Sequence, residues 1–294
     1  MKVPILLGLG GALLAGCLPT SVATPSPGMI PSSASTPTPF LAYPVPTMET
    51  APVCLDDTGV WLDFPYMGAA VEGEVPAKVY LPPCYDGRTA RYPVAYFLHG
   101  KPYTEDQWLD LGLAELVEKG TQAGTLPPMI LVLARQPEPL FSGSDGGPDS
   151  YETEFFEGLV ASIEKAYRTQ PSPDRTAIVG ISRGGVWALE IALRNPDRIG
   201  AVAALSPALA VNTARPAYDP QQLAATAPAL PAHLMLAAGD TDWARPATEG
   251  LAAILESRGA AFGMIIVSGS HTDATWESML PDVLNFLSQT FSGA

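Results

Sequence analysis

Four short apolar runs, at 176–180, 201–205, 234–238 and 264–267, restrict what this chain can fold into. They are too short for buried helices and do not alternate with polar residues as a strand with one wet face would. A continuous apolar run of this length fits a strand covered on both faces, the usual state in a mostly parallel sheet. The stretches 184–194, 246–258 and 275–290 fit amphipathic helices, and Asn195-Pro196 stops the first of them. Upstream, 75–81, 92–98 and 129–134 read as strands, and 110–119 and 151–168 as helices. Strands alternating with helices predict an α/β domain with a doubly wound, mostly parallel sheet and right-handed crossovers. No internal repeat and no shift in composition follows residue 51, so one domain over 52–294 suffices.

The first 51 residues have a different character. Met1-Lys2 and an apolar stretch ending in Leu14-Ala15-Gly16-Cys17 form a charged start and a core too short to span a membrane. The segment resembles a bacterial lipoprotein signal, in which cleavage after residue 16 leaves Cys17 to be lipidated. Acyl chains on Cys17 would attach the protein to an extracytoplasmic membrane surface without a spanning helix. From Leu18 to about Ala51 the chain is rich in Pro, Ser and Thr, too poor in apolar surface to offset its conformational entropy. It reads as a disordered, extended linker with a reach of at most about 100 Å.

The formal net charge of −14 argues against nucleic acid or an anionic membrane surface as an electrostatic partner. Three cysteines are present. With Cys17 acylated, Cys54 and Cys84 remain in an oxidising compartment, and a structural disulfide follows by elimination. Neither has a histidine close in sequence, so metal binding and thiol catalysis are poor readings.

The run at 176–180 leads into Gly180-Ile181-Ser182-Arg183-Gly184-Gly185, then a helical pattern. A serine hydroxyl attacks well only when it projects from a sharp turn toward a base. The backbone crowding in such a turn calls for glycine on either side. The helix that follows points its positive N-terminal end at the serine, favouring a developing oxyanion. Three histidines could supply the base. His233 stands at the start of a strand, at the far edge of the sheet, and His99 fits a loop-shaping role. His271 follows the last apolar run, at the carboxyl edge where parallel sheets gather reactive groups. Asp240 and Asp242 follow the run at 234–238. One is expected to orient the imidazole, with Asp242 favoured and Asp240 left as a turn residue. The amide of Arg183 is one candidate oxyanion donor. Lys101 is the other, because Pro102 carries no N–H.

Taken together, Leu81-Pro82-Pro83, Tyr96-Phe97-Leu98-His99-Gly100, Gly180-Ile181-Ser182-Arg183-Gly184-Gly185, Leu205-Ser206-Pro207-Ala208 and Gly239-x-x-Asp242 resemble the esterase D-type branch of the α/β-hydrolases. His271 with Trp276 shortly after it resembles the same branch. That branch includes feruloyl and acetyl-xylan esterases, siderophore esterases, S-formylglutathione hydrolases and mycolyltransferases. The resemblance implies Ser182 as nucleophile, Asp242 as acid and His271 as base, with Lys101 and Arg183 amides holding the oxyanion. It implies neither metal nor organic cofactor. Lys101-Pro102 departs from the small, glycine-bearing segment that follows His-Gly in many relatives.

The expected activity is hydrolysis of a small-molecule or carbohydrate-linked carboxylic ester. Acyl transfer to another alcohol, and a non-catalytic binding module on the same fold, are the alternatives. The Arg183 side chain is open to two readings, a bond to a neighbouring surface or contact with an anionic substrate group. The loop at 135–151 either lines the site or only connects two elements. Trp243 and Trp276 flank the proposed acid and base, as pocket walls or as core.

Overall fold

The apolar runs become the middle of one eight-stranded sheet in the computed structural model, which describes residues 56–292. The signal segment 1–16, the linker 17–51 with Cys17, and Cys54 lie outside the described residues. In chain order the strands are β1 (Val60–Asp63), β2 (Tyr66–Met67), β3 (Glu74–Val75), β4 (Ala77–Leu81) and β5 (Val94–Leu98). They continue as β6 (Ile130–Ala134), β7 (Thr176–Ile181), β8 (Ala201–Leu205), β9 (His233–Gly239) and β10 (Gly263–Val267). The main sheet runs β1-β4-β6-β5-β7-β8-β9-β10, while β2 and β3 pair separately. β6 to β10 and β5 are parallel throughout, and only β4 opposes its neighbours β1 and β6. The domain is a mostly parallel α/β sheet flanked by helices.

Side chains from the parallel strands alternate between two apolar cores. Val94, Tyr96, Leu98, Ile178, Val202 and Ala204 face one side. There they meet the helices Ser182–Arg194 and Arg245–Ser257 and the helical run from Tyr151 to Ala166. Ala95, Phe97, Val179, Ala203 and Leu205 face the other side, against Leu113–Gln122 and the long helix Asp273–Ser292. Both faces are dry, so neither alternate set can be polar. The apolar runs lack periodicity for this reason. The run at 264–267 is the exception. Its strand, β10, closes the sheet and is only partly covered, with Ile266 40 % exposed.

Three elements differ from their sequence reading. The strand expected over 75–81 is divided at Pro76, which has no N–H to give a ladder. Glu74–Val75 pairs with Tyr66–Met67, and Ala77–Leu81 enters the main sheet. The helix expected over 110–119 is two pieces, Gln107–Asp110 and Leu113–Gln122, separated at Gly112, whose φ of 85° no right-handed helix contains. The helix expected over 151–168 is capped by the Ser150 side chain and ends at Ala166, but Glu154–Val160 is π-helical. Gly158 leaves room there for the buried Glu154 carboxylate, which accepts the Ala69 and Ala70 amides at 2.9 and 2.7 Å.

The register aligns the carboxyl ends of the parallel strands. Leu98 pairs with Gly180, Ile181 with Leu205, Leu205 with Ala237, and Gly239 with Val267. The segments after β5, β7, β9 and β10 therefore emerge along one edge of the sheet.

Candidate active site

Ser182 sits where β7 turns directly into the helix Ser182–Arg194. Its φ is 53°, a left-handed value that a residue with a Cβ adopts only when its surroundings impose it. The surroundings here are backbone. A Cβ on Gly180 would lie 2.2 Å from the Gly184 carbonyl oxygen, and one on Gly184 would lie 2.4 Å from the His99 carbonyl oxygen. Two glycines thus let the helix start press against the ends of β5 and β7. The outcome is a serine presented at the sheet edge with little freedom, 7 % exposed.

The Ser182 hydroxyl lies 2.9 Å from His271 Nε2. His271 Nδ1 lies 2.8 and 3.1 Å from the two carboxylate oxygens of Asp242. A carboxylate only accepts, so Nδ1 carries the proton and Nε2 is left to accept from the hydroxyl. Asp242 has no exposed side-chain surface, and its Oδ1 also accepts the Ala244 amide at 2.8 Å. The three side chains come from the helix start after β7 and the loops after β9 and β10, and they form one hydrogen-bonded chain.

Asp240 is not in that chain. It is exposed, and its Oδ1 accepts the Gly269 amide at 2.9 Å, while the Thr241 amide donates to the Gly269 carbonyl at 3.0 Å. It therefore pins the turn that carries His271. Sequence reasoning placed it as a turn residue and missed this second effect, because the contact crosses 29 positions.

His99 is buried, and its Nε2 accepts the Gln136 amide at 3.0 Å, which leaves the proton on Nδ1 facing the Gly100 carbonyl at 2.9 Å. Burial lowers its pKa to about 4, so the ring is neutral and fully engaged. It shapes the loop after β5 and has no spare nitrogen for Ser182. His233 begins β9, at the opposite edge.

Two buried glutamines hold the same loop, and neither was legible in the sequence. Gln107 Oε1 accepts the Gly100 amide at 2.7 Å, and Gln136 Nε2 donates to the His99 carbonyl at 2.6 Å. With the Gly100 amide occupied and Pro102 without one, Lys101 presents the next N–H. Gly100 itself lies against Ser182: a Cβ there would be 3.4 Å from that of Ser182. The Lys101 ammonium is turned to Glu138 at 3.2 Å and to the Ser142 hydroxyl at 2.5 Å.

The Arg183 side chain makes bonds to neighbouring loops. Nε donates to the Phe141 carbonyl at 3.1 Å and Nη1 to Asn212 Oδ1 at 3.2 Å. Burial lowers its pKa to about 10, so it remains a cation at neutral pH. The loop at 135–151 reaches the site: Phe141 packs on His99, ring centres 4.9 Å apart. Together with Lys101, Pro102 and Tyr103, Phe141 lines a cavity of about 320 Å³. Trp276 is core, meeting the His271 ring edge-on at 4.9 Å, whereas Trp243 lies over that ring at 4.4 Å and is 47 % exposed.

The family model described as "Putative esterase" matches residues 68–291. A curated relative, an endo-1,4-beta-xylanase/feruloyl esterase of Xylanibacter ruminicola, is 27 % identical over 212 residues. That alignment covers 69 % of this chain and 28 % of the relative, so the chain spans less than a third of its length. Among solved structures, a ferulic acid esterase superposes with a TM-score of 0.71 at 22 % identity, covering 80 % of this chain and 99 % of that one. An S-formylglutathione hydrolase from Staphylococcus aureus gives 0.68 at 14 % identity, covering 78 % and 99 %. The chain belongs to the family described as "Putative esterase".

Proposed function

We propose that the chain is a serine esterase working through an acyl-enzyme, with Ser182 as nucleophile, His271 as base and Asp242 as the acid that orients it. The observation that carries this reading is the continuous chain of hydrogen bonds from Ser182 Oγ through His271 to the buried Asp242. His271 Nε2 takes the hydroxyl proton as Oγ adds to the ester carbonyl. The imidazolium that forms is stabilised by the Asp242 carboxylate. The amides of Arg183 and Lys101 donate to the oxyanion of the tetrahedral intermediate. His271 then returns its proton to the departing alcohol, and water repeats the sequence to release the acid.

The names of the feruloyl-esterase relatives favour a hydroxycinnamoyl ester as substrate. Cys17 carries the lipid that tethers the enzyme outside the cytoplasm, 17–51 is its linker, and Cys54 bonds to Cys84. A fluorophosphonate probe, together with ethyl ferulate and p-nitrophenyl acetate turnover, tests the mechanism. Labelling and turnover are expected in the wild type and absent in Ser182→Ala; equal activity in both would rule out the serine mechanism. Cys17→Ala is expected to move the protein from the membrane fraction to the soluble extracytoplasmic fraction.

A further inference from the structure

We infer that Trp243 builds the subsite for the departing alcohol, and that this alcohol carries a ring with a flat apolar face, aromatic or sugar. The inference rests on the serine mechanism proposed above and adds the half of the substrate which that mechanism leaves open.

The geometry begins with the proton. His271 Nε2 is the atom that protonates the leaving oxygen, so the alcohol must lie on the imidazole side of the scissile carbonyl. Two indoles flank that imidazole. Trp276 is 3 % exposed and meets the ring edge-on, so it offers nothing to a ligand. Trp243 lies over the imidazole at 4.4 Å with an interplanar angle of 39°, and remains 47 % exposed. Six large apolar side chains are exposed among the described residues, and Trp243 is the single aromatic one. Its backbone is held by neighbours: Asp242 caps the Ala244 amide, and the Arg245 amide donates to the Asp242 carbonyl at 3.1 Å. A broad, positioned indole beside the proton donor suits stacking on a ring, since aromatic faces attract flat apolar groups and sugar C–H faces. The cavity beside Lys101 contains neither His271 nor Trp243, so it does not compete with the indole for this alcohol.

The test compares ethyl acetate and benzyl acetate, esters of one acid with alcohols of similar basicity. Trp243→Ala is expected to lower kcat/KM for benzyl acetate roughly 3- to 10-fold more than for ethyl acetate. Trp243→Phe, which keeps a flat face, is expected to recover most of the loss. If Trp243→Ala does not fold, Trp243→Leu carries the same comparison. An equal loss on both esters would make Trp243 a support for His271 only, and no loss on either would make it idle. Either result overturns the proposal, as does a wild-type enzyme that takes the fluorophosphonate label but does not cleave benzyl acetate. Absence of both label and turnover would overturn the serine mechanism instead.

Discussion

Asp240 and Gly269 are joined by a 2.9 Å hydrogen bond from the Gly269 amide to the Asp240 carboxylate, two residues before His271. The neighbouring Asp242 holds the imidazole itself at 2.8 Å. One short turn after β9 thus fixes His271 twice, once through its ring and once through its backbone. Asp240→Ala frees the turn and is expected to lower kcat roughly 3- to 10-fold with little change in KM. Asp240→Asn keeps an accepting oxygen and is expected to stay close to wild type. Steady-state kinetics on one ester decides it, and an equal loss in both variants would remove the positioning role.

Asp242→Asn is expected to be far more damaging. The amide can accept the Ala244 N–H but is neutral, and it no longer stabilises an imidazolium. A loss in kcat on the order of 10²- to 10⁴-fold is expected, by comparison with the well-studied serine protease triad. Retained folding, checked by circular dichroism, separates this from collapse.

Gly184→Ala introduces a Cβ 2.4 Å from the His99 carbonyl oxygen and 2.6 Å from that of Leu98. Both are backbone atoms at the end of β5, so no side-chain rotation relieves the clash. A stability loss of about 1–3 kcal/mol is expected, with activity falling faster than stability as Ser182 shifts. Thermal melting beside ester turnover measures the two effects, and an unchanged melting point would contradict the close approach.

Glu190 lies fully buried on the helix Ser182–Arg194, and burial followed by the charge of Glu152 pushes its carboxyl up to about 9. The folded state keeps that proton where the unfolded chain, near its ordinary carboxyl value, has lost it. Stability is therefore fully present below the unfolded value and falls as pH rises toward 9. Glu190→Gln stays neutral and is expected to flatten this slope, gaining on the wild type by about 1 kcal/mol or more between pH 5 and 8. Denaturant midpoints at the two pH values provide the measurement, and parallel curves would refute it.

His99 acts in the opposite direction. Its pKa is lowered to about 4 by burial, so on acidification the unfolded chain takes up a proton first. Its contribution is present above about 6.5 and is lost as pH falls through the window down to about 4. His99→Gln is expected to be less stable at pH 7 but to lose less on going to pH 4.5. A steeper acid loss in the variant would show that His99 is charged when folded.

Much of the fold is local in origin and could be read directly from the chain. Apolar runs of four or five residues separated by amphipathic segments admit few solutions other than a parallel sheet with both faces covered. Gly180 and Gly184 around Ser182 announce a crowded turn because only glycine tolerates backbone at that distance. The division of 75–81 at Pro76 is local too, because a residue without an N–H cannot continue the ladder. Tertiary structure alone decided the roles that depend on residues distant in sequence. Asp240 and Asp242 have the same chemistry and similar neighbours along the chain, and only the position of the β10 loop gives one the Gly269 amide and the other the His271 ring. Gln107 and Gln136 became supports of the β5 loop through contacts over 7 and 37 positions. Trp243 and Trp276 differ in exposure because one stands in the turn after β9 and the other on the core-facing side of the helix Asp273–Ser292. Local sequence determines which backbone shapes are allowed; which side chains meet is determined by packing, when the loops from β5, β7, β9 and β10 are brought to one edge.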